Sequence, residues 1–542
     1  MRPVHLERQL KVVLLLLLSF LLVSSIAVQA QDGEETLFTA LAPEERDWAK
    51  LKIRERLEKE KTLVQVDYFR LRAGPSLEKM LRAGLKGLSV QPILLQLPKI
   101  PPVTIVTERV VQQSQGFISW SGRIQGKRDS FVSIGVRESD PPTKKDIALY
   151  ATIFVGGRTF QISPAERGAY AITEVDTSKF PPEGPPRIWK PNPLHLKHLP
   201  PAKDKTITKK PSLVFQNSCE IDVLVAYTSA AKNEAAAEGK DIRDEILTAI
   251  GQTNDTYHNS DINQRLHLVN EVGANYEACD TGTQTCYAEN GDLVRDLFNL
   301  GAARPTASPP VLQGQDAYPL KQVHEWREFY KADIFALWVK SNPYDCGRSD
   351  LLYEDPTIPG TFPGANDGPD SFANTSAFSV VPRGCANSRY SMAHEFGHLG
   401  AAHHDRPYEA SFALGKGTNI IPQDTLYSYG YAHPNSNDPI NNWRTIMAEN
   451  WTSDLLCPTC CSDCPRIPYW SNPFKTNLGV PMGKVDQFSD STPESSADNH
   501  TTLNKSAPIL IGFRGAEPLP GVCEERKFVD PPPSPPTGLK IE

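Results

Sequence analysis

Apolar and polar positions change rhythm several times along this chain, and each change marks a different kind of segment. Apolar residues run almost unbroken from Val12 to Val23. Helix-favouring stretches follow, Glu44–Leu51 and Leu77–Leu85, with intermittent apolar spacing that predicts helical structure across much of residues 32–100. From Val103 the pattern shortens to β-rich runs: Thr104–Val106, Phe117–Trp120, Phe131–Ile134 and Leu149–Phe154. Turn residues at Gly126–Asp129 and Gly156–Gly157 separate them, as in an antiparallel sheet. A second rhythm begins near Cys219. Ile221–Tyr227 reads as a buried strand, and Ile242, Ile246, Ile250 and Tyr257 lie at amphipathic-helix spacing. Leu266–Val269, the wholly apolar Ile334–Val339 and Ala377–Val381 read as further strands, with Ile334–Val339 central. The order strand, helix, strand, strand, strand, helix predicts an α+β unit, a mixed sheet backed by helices.

Length and composition add boundaries. A chain of 542 residues exceeds one compact core, so two or three domains are expected. The formal charge of −7 supplies no basic footprint, which argues against a nucleic-acid partner. Arg2, Arg8 and Lys11 precede the first apolar run, and Val28-Gln29-Ala30 places small residues before a cut near Gln31. Residues 1–30 therefore read as a signal peptide, with a membrane anchor at the short limit of spanning as the alternative. No later segment is apolar enough to span a bilayer, so a secreted, extracellular protein without a stable membrane span is expected. Residues 181–211, rich in proline and lysine, read as an extended, exposed linker. Residues 516–542 read as a proline-rich tail. All ten cysteines lie from Cys219 onward, an even count that suits disulfides in an exported chain.

The chemistry concentrates in His394-Glu395-Phe396-Gly397-His398-Leu399-Gly400-Ala401-Ala402-His403-His404-Asp405. Histidines four apart on a helix share one face, so both imidazoles can reach one metal ion while Glu395 faces a metal-bound water. A third histidine beyond the helix would complete a three-nitrogen zinc site with one position open for chemistry. Two residues compete for that place. His404 has the expected spacing, six residues past His398, whereas a turn at Gly400 instead of Ala401 would select His403. Thr445-Ile446-Met447-Ala448 has the form of a Met-turn, with Met447 as an apolar floor beneath the imidazoles. The residues thus predict a hydrolase holding one Zn2+ ion through His394, His398 and a third histidine, His404 or His403, with Glu395 as general base.

These motifs resemble the metzincin signature, and the flanking Met392–His398, Arg444–Ala448, Cys464–Pro473 and Ala497–Asn504 resemble the secreted, reprolysin-like peptidyl-Asp metallopeptidases. The likeness covers roughly residues 219–514 and extends loosely to Trp120–Arg123. It implies a metzincin catalytic domain over residues 216–515, preceded by a β-rich pro-region over 31–215. It also implies a zinc endopeptidase acting on protein or peptide substrates on the amino side of aspartate. Arg444 and Arg466 are candidates to line the basic pocket that such specificity requires, with structural arginines as the competing reading. The chain departs from the family at Ala401, where glycine is usual, and at Glu449, where tyrosine is frequent. Cys457, Cys460, Cys461 and Cys464 could hold a structural zinc, though disulfides suit an oxidising compartment better. Cys279–Cys286 and Cys346–Cys385 are plausible pairs. The pro-region contains no cysteine, so any latency there must use a carboxylate, a backbone group or steric blockage. The alternative function is a non-catalytic adhesion or matrix-binding protein on a metzincin scaffold, against which the intact Glu395 argues.

Overall fold

The computed structural model describes residues 36–72, 74–114, 116–138, 147–189, 219–269, 277–279, 286–289, 291–302, 318–354, 361–366, 371–409, 427–434, 441–450, 464–485 and 496–514. The expected signal peptide, most of the Pro/Lys-rich stretch, Cys457–Cys461 and the tail lie outside these residues.

The N-terminal part is a nine-stranded antiparallel sheet. Its strands are β1 (Phe38–Ala40), β2 (Leu63–Leu71), β3 (Ile93–Leu95), β4 (Val103–Ser114), β5 (Phe117–Ile124), β6 (Phe131–Arg137), β7 (Ala148–Val155), β8 (Arg158–Pro164) and β9 (Tyr170–Val175). The β-rich runs of the sequence become β4 to β7, and the two helix-favouring stretches become helices Arg46–Lys59 and Gly74–Leu85. Residues 32–100 are less helical than expected, because β1, β2 and β3 also fall there. In β2 the buried Val66 and Tyr68 alternate with Gln65, Asp67 and Phe69, a period of two that the charged neighbours obscure.

The second sheet is mixed, in the order β10 (Arg187–Ile188), β14 (Arg348–Leu351), β15 (Phe378–Pro382), β13 (Ile334–Val339), β11 (Cys219–Tyr227), β12 (Gln264–Leu268). Strands β11, β12, β13 and β15 pair in parallel, and β14 runs antiparallel to β15. Every residue of β13 is buried, as expected of an interior parallel strand covered on both faces. The fold is α+β, and helix Ser391–Leu399 packs on β14 and β15 of the second sheet. Cys279–Cys286 and Cys346–Cys385 are disulfides, Cys219 and Cys464 are also disulfide-bonded, and no described cysteine is free.

Helix Ile242–Asn259 joins the two parts. Its apolar residues Ile246, Ile250 and Tyr257 enter the core of the second sheet. Its polar face is buried as well, because it lies against the N-terminal sheet. Asp255 accepts from Ser133 Oγ at 2.7 Å and pairs with Arg109, Gln252 donates to Thr152 at 2.8 Å, and Asp244 pairs with Arg137. The contact is close enough that a Cβ on Gly251 would lie 2.4 Å from Ser119 Oγ.

The first residues of the Pro/Lys-rich stretch also correct an expectation. Instead of hanging free, residues 181–189 run along β14, with β10 parallel to it in the register Arg187↔Asp350. Glu183 is 1% exposed. Proline removes backbone donors, but Pro182 O, Gly184 N and Trp189 N still find backbone partners at Cys346, Gly347 and Leu351, so Glu183 and Gly184 are buried while Arg187 and Ile188 stay exposed.

Gly251→Val is expected to push the N-terminal sheet off the helix and destabilise the full chain by roughly 1–3 kcal/mol. Thermal unfolding checks this, and an unchanged midpoint would contradict the close packing.

Candidate metal centre

Tyr390, in the left-handed conformation at φ 58°, starts the helix Ser391–Leu399. His394 and His398 stand one turn apart on it, with ring centroids 4.8 Å apart. Gly400 ends the helix at φ −95°, and the reversal comes one residue later, at Ala401 with φ 68°. The amide of Ala402 donates back to Gly397 O at 2.9 Å, closing the turn. The alanine that departs from the usual glycine thus adopts the conformation glycine would have. Gly400 serves a different need, since a Cβ there would lie 2.6 Å from Leu503 on the helix Asn499–Ile511.

The turn delivers the extended segment His403–Asp405. Neighbouring residues of an extended chain face opposite ways, so His403 and His404 cannot both turn inward. His404 Nε2 lies 3.0 Å from His394 Nε2 and 3.2 Å from His398 Nε2. His403 packs on the Tyr429 ring, with centroids 5.4 Å apart. His394 Nδ1 lies 2.9 Å from Ile446 O and His398 Nδ1 2.7 Å from Ala402 O. Those carbonyls can only accept, so both Nδ1 atoms carry protons and both Nε2 lone pairs point at the common centre. Burial first, and the neighbouring Arg466 and histidine charges next, hold His394 well below the ordinary imidazole range. His398 is likewise held down by burial and by His404. His404 Nδ1 faces Glu409, 3.2 Å away.

Two further features fit this donor set to a metal. Nitrogens about 2.0–2.1 Å from a tetrahedral ion would be separated by roughly 3.3 Å, close to the spacing observed. Beside them Glu395 is fully buried, and neither carboxylate oxygen has a hydrogen-bond partner among the described residues. Burial, then the charge of Glu183, pushes the Glu395 carboxyl well above its usual range. The lead-in to β14 passes so near that a Cβ on Gly347 would lie 2.1 Å from Glu395 Oε1. Met447 is fully buried on the other side, and a Cβ on Gly397 would lie 2.6 Å from its sulfur.

Arg444 and Arg466, the two arginines singled out in the sequence, are both buried next to this centre. They belong to a charged cluster that the sequence does not disclose. Arg389 Nη2 donates to Glu449 Oε2 at 2.8 Å, Arg466 Nη2 donates to Glu449 Oε1, and Arg444 Nη1 lies 3.8 Å from Glu449. Burial alone would raise Glu449, but Arg389, Arg466 and Arg444 hold its carboxyl below the usual range. Arg466 also reaches Glu183 of the strap and lies 3.5 Å from His394 Nδ1. Arg444 turns toward backbone, its Nε donating to Cys464 O at 3.1 Å and its Nη1 to Ala448 O. Arg389 and Glu183 carry no local sequence signal, and their partners are remote in the chain.

Residues 217–471 match the Reprolysin_5 model, metallo-peptidase family M12. The chain is 29% identical over 372 residues to a peptidyl-Asp metalloendopeptidase of Xanthomonas campestris pv. campestris, covering 67% of each protein. It is 26% identical over 420 residues to a protein of the same name from Stenotrophomonas maltophilia strain K279a, covering 76% of this chain and 81% of the relative. A solved chain described as the structure of a chaperone-substrate complex aligns at TM-score 0.32 and 15% identity, over 67% of this chain and 43% of that one, too weakly to bear on the fold. Peptidase relatives imply protein or peptide substrates, and among the described residues no helix is long and apolar enough to cross a membrane. The matched region contains His394, Glu395, His398, His404 and Met447, and together with the named relatives it supports a metzincin-like zinc metallopeptidase, a zinc metalloendopeptidase.

Proposed function

We propose that His394, His398 and His404 hold one zinc ion and that Glu395 is the general base of a secreted endopeptidase. The observation that carries this reading is the meeting of three imidazole Nε2 atoms beside the buried carboxylate of Glu395. Bound there, zinc would supply Lewis-acid polarisation of the scissile carbonyl and lower the pKa of a water toward about 7. Glu395 takes the proton of the attacking water and passes it to the leaving amine. Ile446 O and Ala402 O fix the two helix imidazoles in the tautomer that leaves Nε2 free. Met447 closes the apolar floor beneath them and keeps water from the rear of the rings.

The preference we propose is for peptide bonds on the amino side of aspartate. Three buried arginines beside the centre, Arg389, Arg444 and Arg466, support it together with the printed names of the relatives. Residues 1–30 are proposed as the signal peptide, 31–215 as the pro-region, 216–515 as the catalytic domain and 516–542 as a tail. The disulfides support an oxidising, extracellular destination. The polar docking face of helix Ile242–Asn259 supports a pro-region that can leave, because a catalytic domain released from it would expose hydrophilic side chains.

Two measurements test this reading on the processed enzyme. Glu395→Gln is expected to retain bound zinc by metal analysis and to lower kcat by roughly 10²- to 10⁴-fold; full activity would sink the assignment. In matched peptides, replacing the Asp that follows the scissile bond by Asn should lower kcat/KM by roughly 100-fold or more. Equal cutting of both peptides would remove the specificity and leave the peptidase.

A further inference from the structure

Glu183 is buried although it stands in a proline-rich stretch remote in sequence from every residue around it. Its Oε1 accepts from Ser391 Oγ at 2.7 Å and from Arg466 Nη1 at 2.7 Å, and Arg389 Nε lies 3.7 Å away. This pocket adjoins the metal centre, since Glu183, His394 and Glu449 bring their donor atoms within 4.8 Å of one another. Without Glu183, Arg389, Arg444 and Arg466 would share the single negative charge of Glu449. Buried cations in that ratio demand another anion. Donors also remain for one, because Arg389 Nε, Arg444 Nη2 and Arg466 Nε have no hydrogen-bond partner among the described residues.

The backbone around Glu183 is bound just as specifically. Pro182 O accepts from Cys346 N at 2.9 Å, Gly184 N donates to Gly347 O at 3.0 Å, and Trp189 N donates to Leu351 O at 3.3 Å. Arg348 Nη1 donates to Pro185 O at 2.8 Å. A Cβ on Gly184 would lie 1.9 Å from Arg348 Nε, so only glycine admits the strap at this depth. Arg187 closes the far end on the buried Asp350. The strap therefore occupies the outer edge of β14, the place where an extended peptide would add as a strand.

We propose that Arg389, Ser391 and Arg466 form the carboxylate pocket for an acidic substrate side chain, and that Glu183 fills it in the uncleaved chain as an intramolecular ligand. This rests on the acidic-substrate reading above. It assigns restraint of the precursor to a carboxylate plug and an added strand, in a region that has no cysteine to serve. Because Glu183 precedes residues 190–218, a cut in that segment leaves the plug in place until the N-terminal sheet departs. Pocket and strand edge then open together.

Hydrogen exchange on the full-length chain reads the plug without relying on turnover. In the wild type the amides of Gly184 and Trp189 should be protected, and Glu183→Gln should lower their protection by roughly tenfold or more. Glu183→Asp, which keeps the charge, should retain most of it. Bound zinc, measured on each variant, controls for a collapsed centre. The same Gln variant should cleave an Asp-containing peptide roughly tenfold or more faster than the wild-type precursor. Strap amides equally protected in the wild type and Glu183→Gln, or unprotected in the wild type, would overturn the proposal. A strap released by Glu183→Gln in a chain that cleaves nothing, even after removal of the N-terminal region, would uphold the plug and defeat the peptidase reading instead.

Discussion

Three imidazole nitrogens have to meet at one point, and the surrounding structure is shaped by that requirement. The first two arrive by helical repeat alone. The third arrives only because the chain reverses at Ala401, whose left-handed backbone costs an L-residue about 1 kcal/mol. The reversal is held by the bond from Ala402 N to Gly397 O and by the carbonyl of Ala402, which orients His398. Glycines at 397 and 400 let Met447, Trp470 and Leu503 close around the helix from both sides. Neither position tolerates a side chain without moving the residues packed against it.

A second constraint sits directly behind His394, where three arginines and two glutamates are buried together. Removing such charges from water costs several kcal/mol per ion, and mutual attraction repays this only with good geometry. The cluster is therefore better explained by recognition than by stability. Glu449 anchors Arg389 and Arg466 from within the same half of the protein, while Glu183 comes from the strap. In the arrangement proposed, Glu449 is the permanent anion and Glu183 the replaceable one, and the same arginines serve an internal carboxylate first and a substrate carboxylate afterwards.

What the sequence disclosed follows from the range of each interaction. His394, Glu395 and His398 were legible because helical spacing is local, and Met447 because its motif is short. Strand β13 was legible because complete burial leaves an apolar run. The choice between His403 and His404 was not, since it depends on which residue takes a positive φ. Strand β14 was missed because Arg348-Ser349-Asp350 has the polarity of a loop, and its outer edge is paired to a strap whose Arg187 lies 163 residues away from Asp350. The periodicity of Ile242–Asn259 gave its apolar face correctly. The fate of its polar face depended on Ser133 and Thr152, 122 and 100 residues before their partners, and no local pattern records that.

Zinc-edge X-ray absorption of the full-length protein tests the central claim most directly, because it counts imidazole ligands. The account predicts three nitrogen ligands from imidazoles at about 2.0–2.1 Å in the wild type. One of them should be lost in His404→Ala and all three kept in His403→Ala. A spectrum with two imidazoles in the wild type, or loss of an imidazole on replacing His403 and not His404, would contradict it.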